Sequence, residues 1–338
     1  MRMHIISRHD RSRYQSLLLI VCCLLSAASL AQERSPLQVT NQHPLMTVFG
    51  LPPAESARIL QPGQETSHIS LDWASNYTTE RNANEQVALD GESAQVNIRW
   101  RTGLDLWEFG VDVSFTRYAG GSLDSLIENW HDWFNLPNGG RQFAPRDQLR
   151  YEYVRDGLTA LSVRDKHSGF GDTRLTGAWQ VPLDSRFDMA IRGALKVPTG
   201  DSDKLLGSGS TDFNIGVVMS DDTSLQKYRA SYYLGSGVLW TGDGDILPAY
   251  RENTVFYSQL GFMKDLNERW QLKAQIDTHS ALYDSDLDPL GAALQFSFGV
   301  TLRVSNDLKL DLAIVEDAIT DSSSDVSFHI NLFNFYTR

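Results

Sequence analysis

Asp277, His279 and Ser280 follow one another closely, and a second histidine, His329, lies near the end of the chain. An acid, an imidazole and a hydroxyl are the parts of a nucleophilic hydrolase, and at the rim of a barrel such a set would act on lipid esters. The spacing argues against it. Neighbours on a strand point to opposite faces, so His279 and Ser280 converge only if a bulge or loop intervenes. Asp284-Ser285-Asp286-Leu287-Asp288 opens like a calcium loop, but its sixth position is Pro289 and its twelfth Gln295, where glycine and glutamate belong. Gly207-Ser208-Gly209 has no lysine after it, so it is no phosphate loop. Neither a metal site nor a cofactor is expected, and a catalytic role for Asp277, His279 and Ser280 ranks behind the readings below.

A second set of residues carries more weight. Arg99, Asp112, Arg192, Lys196, Lys273, Asp277, Arg303, Asp311 and His329 all fall on the polar side of segments that alternate apolar and polar. On a lipid-facing side each charge would cost roughly 2–4 kcal/mol near the bilayer midplane. Charges of both signs on one face must meet water or each other. They are expected to line an interior, either along a solute path or as an ion-paired filling.

The elements that position them are strands. In Leu294–Val304 the side chains of Leu294, Phe296, Phe298, Val300, Leu302 and Val304 share one face, and Gln295, Ser297, Gly299, Thr301 and Arg303 the other, which is a period of two. The same beat runs from Ser67 to the chain's end, giving roughly 14 strands, or about 12 if the short pair around Asp156-Gly157 is left out. Short connections such as 102–105, 182–186, 264–268 and 305–307 alternate with long ones such as 119–147, 198–210, 241–251, 280–289 and 316–324. That asymmetry fits an outer-membrane barrel with tight periplasmic turns and long external loops. Trp100, Trp107, Trp179, Phe187 and Trp270 lie beside short turns, and Tyr77, Phe115, Tyr118, Tyr151, Tyr153, Trp240 and Tyr283 beside long loops, so two aromatic belts are expected. One helix is predicted over Ser122–Phe134, capped by Ser122, as a membrane-lying element or a lid.

The N-terminus sets the compartment. Arg2, Arg8, Arg11 and Arg13 precede the apolar run Leu17–Leu25 and the small residues Ser26–Ala31, the layout of a secretory signal peptide cut after Ala31. That segment holds both cysteines, Cys22 and Cys23, so the chain after it has none. It also holds four arginines against one aspartate, so its removal takes the formal charge from −12 to −15. An exported chain of that charge is not expected to bind nucleic acid. No later stretch reaches the ~18 apolar residues of a spanning helix. Residues 32–66 are irregular, with Pro36, Pro44, Pro52, Pro53 and Pro62 excluding a central strand. Their apolar character and their place before the first strand suggest that they enter the lumen and narrow it.

Several segments resemble an uncharacterised family of Gram-negative outer-membrane β-barrel proteins and, more loosely, the transporter-type barrels of phenol-degradation pathways. They are Asn41-Gln42-His43-Pro44, Phe49-Gly50-Leu51-Pro52, Gly169-Phe170-Gly171-Asp172, Lys196-Val197-Pro198-Thr199-Gly200-Asp201, Leu206–Asp212, Thr278–Tyr283, Val315-Glu316-Asp317 and Asp325–His329. The resemblance implies an outer-membrane location and a barrel, and it implies no activity. The chain ends Phe335-Tyr336-Thr337-Arg338, whereas many such barrels end on the aromatic residue itself.

The sequence therefore predicts an all-β chain: a signal peptide over 1–31, an irregular Pro-rich segment over 32–66, and a single antiparallel transmembrane β-barrel over 67–338. The expected function is passive passage or binding of a small solute. A non-conducting structural barrel is the alternative, and a lipid hydrolase comes third. Expected partners are outer-membrane lipid and lipopolysaccharide, the barrel-assembly machinery and a small-molecule solute.

Overall fold

The computed structural model describes residues 34–121, 147–318 and 321–337. The signal peptide and the Ser122–Phe134 helix of the sequence reading lie outside the described residues. Fifteen strands form one antiparallel sheet: β1 (Gln64–Arg81), β2 (Glu85–Leu104), β3 (Trp107–Ala119), β4 (Arg150–Arg155), β5 (Leu158–Val163), β6 (His167–Phe170), β7 (Thr173–Gln180), β8 (Asp188–Val197), β9 (Asp212–Asp221), β10 (Ala230–Trp240), β11 (Thr254–Asp265), β12 (Trp270–His279), β13 (Ala293–Arg303), β14 (Leu308–Asp317) and β15 (Val326–Thr337). Twelve of them close into a barrel. β15 pairs back on β1 from Gln64↔Thr337 to Ser75↔Val326, while β3 pairs with β7 and so skips β4 to β6.

The closed count is thus the lower of the two sequence estimates, and the Asp156-Gly157 pair accounts for the difference. β4 and β5 form a hairpin on the upper half of β2, and β6 pairs only with the top of β3. Asp156 and Gly157 both take positive φ, the two-residue turn that matches strand twist. Above Ser75, β1 pairs with β2 alone, so this long hairpin rises past the barrel wall.

The wall is turned inside out relative to a soluble sandwich. Ile69, Ile98, Phe109, Leu195, Phe213, Leu234, Phe262, Phe298, Leu312 and Ile330 are exposed, whereas Asp72, Asn97, Arg99, Lys273, Asp311 and His329 are buried. Apolar residues that alternate outward around a closed sheet are satisfied by lipid, and closure removes the unpaired edges. Of the aromatic residues beside short turns, Trp107 and Trp270 face outward. The upper belt differs from expectation. Phe115 and Trp240 are exposed, but Tyr118, Tyr151, Tyr153 and Tyr283 are fully buried in an apolar core. Alternation persists there, but the inward positions turn apolar because they pack against the hairpin tip and the long loops.

Residues 34–63 form a hairpin inside the barrel. It starts at the short-turn end, where Arg34 pairs with Asp265 (2.8 Å). The rising limb sets Leu37 and Val39 against Ala313 and Val315, and the Leu37 N–H donates to Gln275 (3.0 Å). The tip, with Leu45, Met46, Val48 and Phe49, enters the upper apolar core, and the Tyr283 hydroxyl donates to the Leu45 carbonyl (2.7 Å). The descending limb seats Ala57 and Ile59 on Ala178, Ala190 and Val218, and Leu60 on Phe333 and Phe335, before β1 begins. Gly103 makes room for this exit: a Cβ there would meet the Leu60 and Gln61 carbonyl oxygens at 2.4 and 2.3 Å.

Candidate functional site

The charged residues of the polar strand faces project into the lumen and divide into three groups. At mid-height the hairpin carboxylate Glu55 sits between two guanidinium groups. Its Oε1 accepts from Arg101 Nη2 (2.8 Å) and its Oε2 from Arg192 Nη1 (2.5 Å). Arg192 also pairs with Glu108 (2.8 Å) and donates through Nε to the Ser56 carbonyl (2.8 Å). Arg101 grips Asp112, which Arg174 also meets (3.1 Å), and Arg174 donates to the Leu51 carbonyl (2.8 Å). Arg99 donates to Gln38 (3.0 Å). Burial would raise the Glu55 pKa, but Arg101 and Arg192 prevail and hold its carboxyl below the usual carboxylate range.

The second group is higher. Lys196 Nζ binds Asp172 (2.6 Å), Asp212 (3.2 Å) and Ser208 (2.5 Å), while Asp212 accepts the Gly50 N–H (3.0 Å). Asn41 Nδ2 meets His279 Nε2 (3.1 Å) and the Ser322 carbonyl (2.9 Å). Many of the segments that carry the family resemblance therefore meet around the hairpin tip. The third group runs along the wall from β12 to β1. There Lys273 binds Asp311 (3.0 Å), Asp311 also accepts from Thr301, and His329 Nδ1 meets Asp72 (2.6 Å). Arg303 stands apart at the short-turn rim, on Asp265 (3.1 Å) and the Glu268 carbonyl (2.7 Å).

The hydrolase constellation is not assembled. His279 Nδ1 meets the Ser280 carbonyl (2.9 Å) and its Nε2 meets Asn41, while the Ser280 hydroxyl accepts from the Phe256 N–H (3.1 Å) and Asp277 accepts from Gln275 (2.9 Å). Among the described residues no group of three or more His, Cys, Asp or Glu side chains is placed to hold a metal ion.

Sequence reasoning placed Arg99, Asp112, Arg192 and Lys196 on the polar face but did not single out Arg101, Arg174, Glu108 or Glu55. The first three carried a usable signal, since each shares its neighbours' strand parity. Glu55 belongs to no strand, and only its isolation in Pro52-Pro53-Ala54-Glu55 marked it.

Among the described residues, two small cavities lie beside the hairpin. One of about 70 Å³ is lined by Arg99, Asp112, Arg174 and Lys196, and one of about 30 Å³ by Glu55, Arg174, Arg192 and Tyr257. These are volumes for a few waters.

The sequence pattern of the family described as "Protein of unknown function (DUF3187)" matches residues 13–335. The chain belongs to the DUF3187 family. No curated protein matches it in sequence. Among solved structures, the COG4313 outer membrane channel from Pseudomonas putida F1 superposes on this DUF3187 barrel with a TM-score of 0.56 at 12% identity, covering 83% of this chain and 98% of that one. The NanC porin gives 0.44 at 7% identity over 81% and 99%, and the P. putida toluene transporter TodX 0.36 at 9% over 82% and 90%. The COG4313 likeness establishes a shared barrel architecture.

Proposed function

We propose that this DUF3187 protein is an outer-membrane channel for a small solute, closed at rest by its N-terminal hairpin. One observation carries the reading: the hairpin is held by side-chain contacts to the lumen wall at every level, from Arg34 on Asp265 to Tyr283 on Leu45, and is a separable part with no strand pairing to that wall. A barrel that needed only a filled interior could have used large wall side chains, as small barrels do. Here the inward positions under the hairpin include Ala178, Ala190 and Ala313, which leave the space the hairpin takes. The exposed apolar belt supports an outer-membrane location, reached by export with cleavage after Ala31, insertion by the barrel-assembly machinery and contact with lipopolysaccharide at the long-loop end.

The test is a deletion of residues 38–61 in planar bilayers, with folding checked by heat-modifiable migration in detergent gels. A large rise in single-channel current is expected, and an unchanged current removes the gating role. The rival, a barrel that conducts nothing, draws on the small size of the two cavities, and it predicts silence in both forms.

A further inference from the structure

We propose that the hairpin closes the barrel by occupying an anion site with its own carboxylate, so that the solute for which this channel is built carries a carboxylate that competes with Glu55 for Arg101 and Arg192. This rests on the channel reading above.

Four strand-borne arginines reach the hairpin: Arg99 and Arg101 from β2, Arg174 from β7 and Arg192 from β8. Every hairpin atom they touch is an oxygen. Arg99 takes Gln38 Oε1, Arg174 takes the Leu51 carbonyl, Arg192 takes the Ser56 carbonyl, and Arg101 and Arg192 share the two oxygens of Glu55. The wall also accepts hairpin N–H groups, from Leu60 on Glu108 (2.9 Å) and from Ala57 on Ser220 (3.2 Å). What sets this level apart is its cluster of guanidinium donors, whose planar geometry suits a carboxylate.

The local charge balances only with the hairpin in place. Arg99, Arg101, Arg174 and Arg192 face the wall carboxylates Asp112, Glu108 and, beside Arg99, Asp72, and Glu55 supplies the fourth negative charge from the hairpin. When the hairpin leaves, Arg101 keeps Asp112 and Arg192 keeps Glu108, so the wall stays folded. One positive charge is then uncompensated at the centre of a low-dielectric tube, where field lines concentrate. A small carboxylate restores both the charge and the two hydrogen bonds that Glu55 withdrew. In the Glu55 clamp each oxygen meets a different guanidinium, at 2.8 and 2.5 Å, so one planar carboxylate bridges two side chains.

The experiment is calorimetric titration of glutarate, the uncharged glutaramide and inorganic phosphate into the detergent-solubilised full mature chain, as wild type, Glu55→Ala and Glu55→Ala/Arg192→Gln. Glu55→Ala should bind glutarate about tenfold or more tightly than wild type, because the tethered competitor is gone. The double variant should lose that gain, and glutaramide should not bind. If Glu55→Ala does not give a folded, heat-modifiable band, the isosteric Glu55→Gln makes the same comparison. Folded Glu55 variants that take glutarate no better than glutaramide, or phosphate as tightly as glutarate, overturn the carboxylate site. Bilayer recordings of the same samples separate the two readings. Current without glutarate binding keeps the channel and sinks this proposal, and binding without current keeps the site and sinks the channel.

Discussion

Glu55 and Arg192 stand 137 residues apart in sequence and meet at 2.5 Å in the middle of the barrel. Neither residue is at the wall's outer face, and their contact joins the hairpin to the lumen wall. What holds the hairpin is therefore largely polar at mid-height and apolar at the tip, which makes the two anchors separately testable.

The tip anchor predicts a covalent lock. A Cβ built on Gly50 would lie 3.1 Å from Asp212 Cβ, close to the ~3.5–4.5 Å that a disulfide spans. The chain has no cysteine after Cys23, so Gly50→Cys/Asp212→Cys can form one bridge without competitors. Oxidised protein should pass no current in bilayers, and reductant should restore the level of the reduced variant. A bridge that forms without changing the current would show that the tip does not need to move.

Acid should loosen the hairpin. His43 is buried at the tip, where desolvation first and His279 second bring its pKa down to about 3. In the unfolded or released segment it would titrate near its ordinary 6.5, so between roughly pH 6.5 and 3 the released form binds the extra proton and stability falls with falling pH. Glu55, held below its ordinary 4.5, adds to this only at still lower pH, as its carboxylate is neutralised. Protease nicking of residues 38–61 in folded protein should rise between pH 7 and pH 5, and His43→Leu should flatten that rise. An identical rise in His43→Leu would assign it elsewhere.

Lys273 and Asp311 are both almost fully buried and bound to each other at 3.0 Å. Removing one partner strands the other, so Asp311→Leu should cost about 3–5 kcal/mol of unfolding free energy, whereas Lys273→Met/Asp311→Leu should recover most of it. Urea titration of the folded-band fraction measures both. Equal losses in the single and double variants would mean that the cost comes from packing and not from charge.

The outer wall predicts the converse. Phe298 and Ile330 face outward in the exposed apolar belt. Lysine at either position should cost roughly 2–4 kcal/mol if it lies near the midplane. The same substitution at the outward but loop-proximal Phe170 should cost far less. A flat response across the three would contradict the bilayer placement of the belt.

The barrel was legible because its signal is a period of two sustained over most of the chain. Ile69, Leu71 and Trp73 against Ser70 and Asp72 already give the facing seen in β1. Legibility failed where the environment changed without a change of period. Tyr118, Tyr151 and Tyr153 keep their alternation above the membrane, but what surrounds them is a protein core, and sequence spacing alone carries no information about that switch. β4 and β5 separate the estimate of about 14 strands from that of about 12 for the same reason, since pairing partners are not written in the beat. Glu55 was missed because the hairpin has no period at all, and its register is set by which lumen atoms it touches.

The hairpin enters the barrel and leaves it by the same end, and its descending limb runs straight into β1 at Gln64. In the gating we propose, it would be drawn out only toward that end and could not diffuse away. Reclosure would then be a unimolecular step whose speed is independent of how much protein is present, and a passing solute would have to outrun a stopper that is always on its leash.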